Sequence, residues 1–177
     1  GGNWKVRPAA GMYFRREWCK VVDAAPSDLV MVRGWDLAAT DKTADNDPDA
    51  TAAVKLGRSR STGRFIILHS LSLHGAPHKV DTAIKNSAAA DGHEVIIRLP
   101  QDPGQAGKSQ GQALVGKLPG YTVHLERPTG DKVTRFSPFS AQCEAGNVDV
   151  LRGPWNDALF DALEAFPEAA HDDDADA

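Results

Sequence analysis

The sequence predicts a mixed α/β domain, in which helices flank a five-stranded sheet made of three antiparallel strands followed by βα units. The apolar run at 29–37 is nearly continuous, which is typical of a central strand buried on both faces. The segment 57–63 is rich in Gly, Ser and Arg and separates two further apolar runs, as a hairpin connection does. Helical and strand patterns alternate after residue 73, which indicates βα units.

The individual elements follow in order along the chain. The predicted strands are 29–37, 51–56, 64–73, 94–99 and 121–125. The predicted helices are 77–90, 105–116, 131–145 and 156–166, and a further helix begins at His171. In the first helix, Ile84 and Ala88 repeat at helical spacing, and Gly92 follows at the position where a helix end favours glycine.

The length of the chain, 177 residues, fits one domain, or one domain with a short appendage. We expect residues 1–28 to form a lead-in segment packed on the domain, and residues 29–177 to form the domain itself. The last predicted helix stops in its first turn at Ala177, so we expect an excised part of a longer protein with a truncated C-terminal helix. No apolar run approaches the ~18 residues that span a bilayer, so we expect no membrane partner.

Charge is segregated along the chain, although the total of 20 basic and 24 acidic residues leaves a net charge of only −4. The stretch 55–79 carries five basic residues and no acid, and much of the acidic charge lies in 41–49 and at the C-terminus. This distribution suits a basic face beside an acidic pocket. The hairpin arginines Arg58, Arg60 and Arg64 are candidate DNA contacts, and a solvated turn is the equal alternative.

Asp36 follows an apolar strand and is the first candidate catalytic and metal-binding residue. An unpaired carboxylate at the end of a central strand is costly to bury. Leu37 and Ala38 keep the position inside the apolar stretch, which favours a functional role. The alternative is a turn residue or a helix cap.

Asp102 follows the fourth predicted strand and is the second candidate. Sites in open α/β sheets gather outside the carboxyl ends of strands. We place the first and fourth predicted strands side by side, so that Asp36 and Asp102 meet at one edge of the sheet. The sequence Asp-Pro-Gly is also ordinary turn chemistry, and a simple turn is the alternative.

The acidic C-terminus supplies the third candidate, in Asp172, Asp173 and Asp176. Their i, i+3 and i, i+4 spacings place them on one face of a helix, although a charge run at a terminus is more often a solvated tail. Three converging carboxylate sites would be hard oxygen ligands for Mg²⁺ or Mn²⁺. Two such ions support phosphodiester hydrolysis.

Residues 102–109 approach the pattern of a nucleotide-binding P-loop without completing it. Gly107, Lys108 and Ser109 match the end of the pattern. Asp102 stands where the first glycine belongs, and its carboxylate would repel phosphates. We therefore expect Lys108 and Ser109 to contact a DNA phosphate beside the metals, or simply to begin a solvated helix.

Six segments together carry a family resemblance over most of the chain. They are GMYFRREW, RGWDLAATDK around Asp36, NDPDATAAVKLG, LPQDPGQAGKSQG around Asp102, DKVTRFSPFSAQCEAGNV and, most specific, the closing FPEAAHDDDADA. The chain resembles the C-terminal nuclease domain of the large terminase subunit of tailed bacteriophages. The resemblance implies a ribonuclease-H-like, resolvase-like fold and cleavage of concatemeric viral DNA during genome packaging, with two Mg²⁺ or Mn²⁺ ions.

The same resemblance implies roles for individual residues. Asp36 and Asp102 become the first and second catalytic acids, and Asp173 the third, with Asp176 and Asp172 as further candidate ligands. An extra acid at Asp174 departs from the family's pattern. Lys132 and Arg135 would lie near the DNA backbone, with a solvated helix face as the alternative.

The resemblance also implies partners. These are double-stranded DNA, the N-terminal ATPase domain of the same full-length protein, the portal and the small terminase subunit, in the cytoplasm of an infected bacterial host. Two other functions stay open. One is a resolvase-like nuclease acting on branched DNA, and the other is a DNA-binding or docking module of the packaging motor with little activity of its own.

Overall fold

The structure, a computed structural model, describes residues 11–37 and 50–167. The strands are β1 Lys20–Val22, β2 Leu29–Asp36, β3 Thr51–Ser59, β4 Phe65–Leu73, β5 Ile96–Pro100, β6 Val123–Glu126 and β7 Val148–Leu151. The helices are α1 Pro77–Asp91, α2 Gln105–Gly116, α3 Lys132–Glu144 and α4 Asn156–Ala165, and a short 3₁₀ turn covers Arg16–Trp18. The predicted mixed α/β class is confirmed.

The sheet places its described strands in the order β1-β7-β4-β3-β2-β5-β6. Strands β2, β3 and β4 are antiparallel neighbours, whereas β5 and β6 run parallel to β2, and β7 runs parallel to β4 and β1. This is the predicted arrangement of a hairpin-connected core followed by βα units. It contains two strands more than the five predicted.

The two additional strands, β1 and β7, have only three and four residues. Such short segments show too little alternation to be recognised in sequence, and they are fixed by tertiary pairing, since β7 lies between β4 and β1. The described part of the lead-in segment therefore joins the sheet as well as packing on it. Phe14 is fully buried, and the backbone amide of Gly11 donates to the carbonyl of Glu164 at 2.8 Å.

Each face of the sheet has its own core. On one face, α1 and α2 cover the sheet through Ile84, Ala88 and Leu114, which pack with Trp35 and Leu99. On the other face, α3 and α4 cover the β4–β7–β1 half. That second core contains Phe14, Cys19, Ile67, Cys143, Val148, Val150, Leu159 and Phe160. The described residues of β5 and β6 contribute nothing to the second core, so this part of the α3/α4 face is left for a cleft.

A buried ion cluster ties β2 to the end of α1. Arg33 is 3% exposed, and its Nε and Nη2 donate to the two carboxylate oxygens of Asp91 at 2.8 and 2.9 Å. Lys55 lies 3.4 Å from the same carboxylate, and Nη1 of Arg33 lies 2.8 Å from Nδ1 of His69. Because an arginine can only donate, Nδ1 of His69 is the acceptor.

The cluster sets the ionisation of its members. Burial acts to raise the pKa of Asp91, but the hydrogen bonds and charge of Arg33 and the charge of Lys55 outweigh burial, so that this pKa is lowered. Burial and the charge of Arg33 lower the pKa of His69. The folded state therefore favours an ionised Asp91 and a neutral His69.

In the described part of the chain, no helix has the length and apolarity needed to cross a membrane.

Candidate active site

Asp36 and Asp102 lie at neighbouring strand ends, as predicted. β2 and β5 pair in parallel with Gly34 opposite Arg98, so their carboxyl ends meet at one edge of the sheet. Asp36 is the last residue of β2, and Asp102 follows the last residue of β5, Pro100, by two positions. Both aspartates are exposed. Two carboxylates thus flank the point where a substrate could meet this sheet edge.

The backbone at Asp102 is held by the first turn of α2. Gly104 takes a φ of 94° and precedes the helix, and the amide of Lys108 donates to the carbonyl of Gly104 at 3.2 Å. A Cβ added at Gly107 would lie 2.1 Å from the carbonyl oxygen of Asp102. Only glycine allows the helix to approach Asp102 so closely. Lys108 and Ser109 are exposed on this turn. Their exposure is compatible both with contact to a DNA phosphate and with a solvated start of the helix.

A cleft of about 780 Å³ lies beside Asp36 on the α3/α4 face. Apolar residues from β3, α3 and the segment after α4 form part of its lining, including Val54, Phe136 and Phe166. The basic residues that line it are Arg98, Arg127, Lys132 and Arg135. Its acidic residues are Asp36 and Glu126, and Asp102 is outside the lining. The cleft therefore pairs a catalytic candidate with an excess of positive charge.

Lys132 and Arg135 reach the cleft because α3 begins there. Asp131 caps the helix, and its carboxylate accepts from the amide of Thr134 at 2.7 Å. That backbone hydrogen bond lowers the pKa of Asp131. The helix starts at Lys132, so both predicted DNA contacts stand in its first two turns beside Asp36.

Three charged residues of the cleft, Arg98, Glu126 and Arg127, were not among the sequence candidates. Arg98 lies between the buried Ile97 and Leu99, so strand alternation alone places it on the opposite face of the sheet. Nη1 of Arg98 lies 2.8 Å from Oε1 of Glu126. The alternation in β5 was a usable signal, whereas the contact with Glu126 depends on the β5–β6 register.

The residues that fit a divalent cation are Asp36 and Asp102. Both offer hard carboxylate oxygens of the kind that Mg²⁺ and Mn²⁺ prefer. The third candidates, Asp172, Asp173 and Asp176, lie outside the described residues. Within residues 11–37 and 50–167, no group of three or more His, Cys, Asp or Glu could hold a metal ion. The described residues therefore include two of the three ligand positions that the sequence predicts, and their role as ligands stays a prediction.

The basic hairpin lies at the far end of the sheet from Asp36. β3 continues through Ser59, so Arg58 lies within the strand and only Arg60 and Arg64 flank the turn, because pairing with β2 extends further than predicted. Arg58 pairs with Val30, whereas Ala52 pairs with Asp36. Six residues of β3 separate these positions (58 − 52), or about 20 Å at ~3.3 Å per residue.

The hairpin also has acidic partners that sequence proximity does not show. Asp28 accepts hydrogen bonds from the hydroxyls of Ser59 and Ser61 and from the amide of Ser61, at 2.7–2.9 Å. These bonds, led by those from Ser61, lower the pKa of Asp28 to about 2. Arg64 pairs with Asp149 at 3.0 Å. DNA contact by this hairpin stays a prediction.

Comparison with known proteins identifies the family. A family model described as "Terminase RNaseH-like domain" matches residues 33–177. No curated protein sequence matches the chain. Solved structures of phage large terminases are similar in fold.

One is the large terminase nuclease domain of P22, at 11% identity, covering 78% of this chain and 70% of that chain with a TM-score of 0.55. Another is the zinc-bound large terminase nuclease of the thermophilic phage G20c, at 17% identity, covering 89% and 88% with a TM-score of 0.55. A third is the large terminase of another thermophilic bacteriophage, at 12% identity, covering 93% of this chain but 42% of that chain with a TM-score of 0.52. At these identities, the likeness is one of fold. Because the family model covers most of the sequence, the chain belongs to the terminase RNase H-like domain family.

Proposed function

We propose that this domain is a metal-dependent endonuclease that cuts concatemeric viral DNA during genome packaging. The observation that carries the proposal is the placement of Asp36 and Asp102 at the adjoining carboxyl ends of β2 and β5. Membership of the terminase family supports DNA as the substrate. The four basic residues of the cleft support binding through phosphates, which would be sensitive to salt and only weakly specific for sequence.

Asp36 and Asp102 would hold Mg²⁺ or Mn²⁺ together with an acid of the C-terminal cluster, Asp173 being the first choice. Two divalent ions, when bound, supply a water nucleophile and stabilise the leaving oxygen in phosphodiester hydrolysis. Structures of the G20c large terminase nuclease with zinc, magnesium and cobalt support the use of a divalent ion. The two carboxylates would hold the ions through their oxygens and would offset part of the ions' positive charge.

The remaining cleft residues bind and orient the DNA. Lys132 and Arg135, in the first turns of α3, neutralise phosphates on one side of Asp36, and Arg127 adds charge near the end of β6.

The proposed partners follow from the same family. They are the N-terminal ATPase domain of the full-length protein, the portal and the small terminase subunit, in the cytoplasm of the infected host. The chain spans 42% of the third large terminase described above, which supports a place within a longer polypeptide.

The test is cleavage of supercoiled plasmid with Mg²⁺, with Mn²⁺ and with EDTA. We expect nicked and linear products with either ion and none with EDTA. Linear duplex and four-way junction substrates run beside the plasmid. Preferential cutting of the junction would replace our proposal with a resolvase-like activity, and DNA binding without cutting under any condition would replace it with a docking module.

A further inference from the structure

We propose that Arg98 is a DNA-positioning residue that contacts a backbone phosphate next to Asp36, and that Glu126 competes with that phosphate for its guanidinium. The inference rests on the proposed nuclease function and deepens it. The ion pair between Arg98 and Glu126 lies inside the cleft, where both side chains form part of the lining.

Strand register brings Arg98 and Asp36 to the same face of the sheet. Arg98 pairs with Gly34, and Asp36 stands two residues beyond Gly34 on β2. With strands about 4.8 Å apart and ~3.3 Å per residue along them, the two Cα atoms lie roughly 8 Å apart. That separation is within the reach of an arginine side chain, so Arg98 can contact a phosphate that approaches the strand end at Asp36.

Gly34 keeps the space between these two residues open. A Cβ at Gly34 would meet no atom within 4 Å. A side chain there would stand on the cleft face between Arg98 and the strand end. Its absence leaves a path along which a DNA backbone can approach both Asp36 and Arg98.

The ion pair leaves Arg98 available to a ligand. The side chain of Arg98 is 50% exposed and that of Glu126 is 53% exposed. Ion pairs at this exposure are weak, and a phosphate can replace the carboxylate. A guanidinium has five donors in a fork that matches phosphate oxygens in a bidentate geometry. Arg98 also stands on a strand, which holds it more rigidly than the loop that carries Arg127.

The test measures DNA affinity without metal across a salt series, using a short duplex. Arg98→Gln should reduce the slope of log affinity against log salt by about 0.9, so that its deficit against the parent changes about 3.5-fold between 50 and 200 mM salt. Arg98→Lys should restore the slope, because it keeps the charge. Glu126→Gln should tighten binding at low salt by roughly 1.5- to 5-fold.

Cleavage supplies a second readout. Arg98→Gln should lower kcat/KM by about 10- to 100-fold, which is the range expected for a lost charge-assisted hydrogen bond. Arg98→Lys should recover only part of this loss in kcat/KM, because lysine keeps the charge but lacks the bidentate fork. The matched control is the pair Arg152–Asp23, which is also exposed and 2.7 Å apart but lies towards the opposite edge of the sheet, next to β7. Arg152→Gln and Asp23→Asn should change neither the slope nor the rate.

If the ion pair were purely structural, Arg98→Gln and Glu126→Gln would have the same effect. Each would lower the melting temperature slightly and leave the affinity for DNA unchanged. That outcome, or a parental salt slope for Arg98→Gln, would overturn the inference while leaving the nuclease function intact if the parent cuts plasmid. A parent that neither binds nor cuts DNA would overturn both.

Discussion

Replacing Gly107 by alanine should disturb the packing of α2 on the backbone of Asp102, one of the two carboxylates that we propose to be catalytic. A Cβ at Gly107 would lie 2.1 Å from the carbonyl oxygen and 2.7 Å from the carbonyl carbon of Asp102, where ordinary contact begins at 3.4 Å. The two nearest atoms are backbone, so either Asp102 or the start of α2 must move by about 0.9–1.3 Å to bring the contact to 3.0–3.4 Å.

The cost of that movement can be estimated. Overpacking of this kind costs about 1–3 kcal/mol, and the better helix propensity of alanine returns up to about 1 kcal/mol. We therefore expect a net loss of about 1–2 kcal/mol, which corresponds to a fall of about 2–8 °C in melting temperature for a chain of this length. Because a misplacement of about 1 Å at a reacting centre can cost 10²-fold in rate, cleavage should fall far more than stability.

The assay is thermal unfolding followed by plasmid cleavage for the parent and the variant. The control is Gly116→Ala at the end of the same helix, where an added Cβ meets nothing within 4 Å. Its cleavage should stay parental, and its melting temperature should stay the same or rise slightly because alanine favours the helix. If Gly107→Ala melts and cuts as the parent does, the close packing of α2 on Asp102 does not fix the site and the reasoning fails.

Three further predictions concern the scaffold and the hairpin. Asp91→Asn leaves Arg33 and Lys55 without their buried counter-charge and should cost about 3–5 kcal/mol in the free energy of unfolding. Asp149→Asn breaks only the partly exposed pair with Arg64 and should cost under ~1 kcal/mol, and denaturant unfolding compares the two variants. The pKa of His69 is lower in the folded state, so the unfolded chain binds more protons. The free energy of unfolding should therefore fall as the pH drops from about 6.5 through the folded pKa. His69→Gln should remove this pH dependence, and equal pH profiles for the parent and the variant would refute the prediction. Replacing Arg58, Arg60 and Arg64 together by alanine should lower the salt slope of DNA binding by roughly 0.9 for each phosphate that is no longer neutralised, and parallel slopes would leave the hairpin as a solvated turn.

The central part of the fold was predictable because its signals are local. The apolar run of β2, the glycine-rich hairpin and the helical repeat of α1 each lie within one segment of sequence. The helices α1, α2, α3 and α4 fall within one residue of their predicted bounds. Adjacency of Asp36 and Asp102 was also accessible, since parallel strands carry their carboxyl ends to the same edge.

The features that sequence reasoning missed depend on pairing between distant segments. β1 and β7 are too short to show the alternation of apolar and polar residues that marks a strand in sequence. They form because they pair with each other in the sheet. The contact between Arg98 and Glu126 requires the register of β5 on β6. The acids near the basic hairpin come from segments far along the chain, Asp28 from the bend before β2 and Asp149 from β7.

Cleavage by Asp36→Asn and Asp102→Asn tests the central claim most directly, with DNA binding measured on the same preparations without metal. Amides are poorer ligands than carboxylates for hard cations and carry no offsetting charge, so each variant should fold, bind DNA at least as tightly as the parent and produce no detectable cut plasmid with Mg²⁺ or Mn²⁺. Asp157→Asn, which neutralises an exposed acid at the start of α4, should cut at the parental rate. Near-parental cleavage by either Asp36→Asn or Asp102→Asn would contradict a nuclease centre at this edge of the sheet.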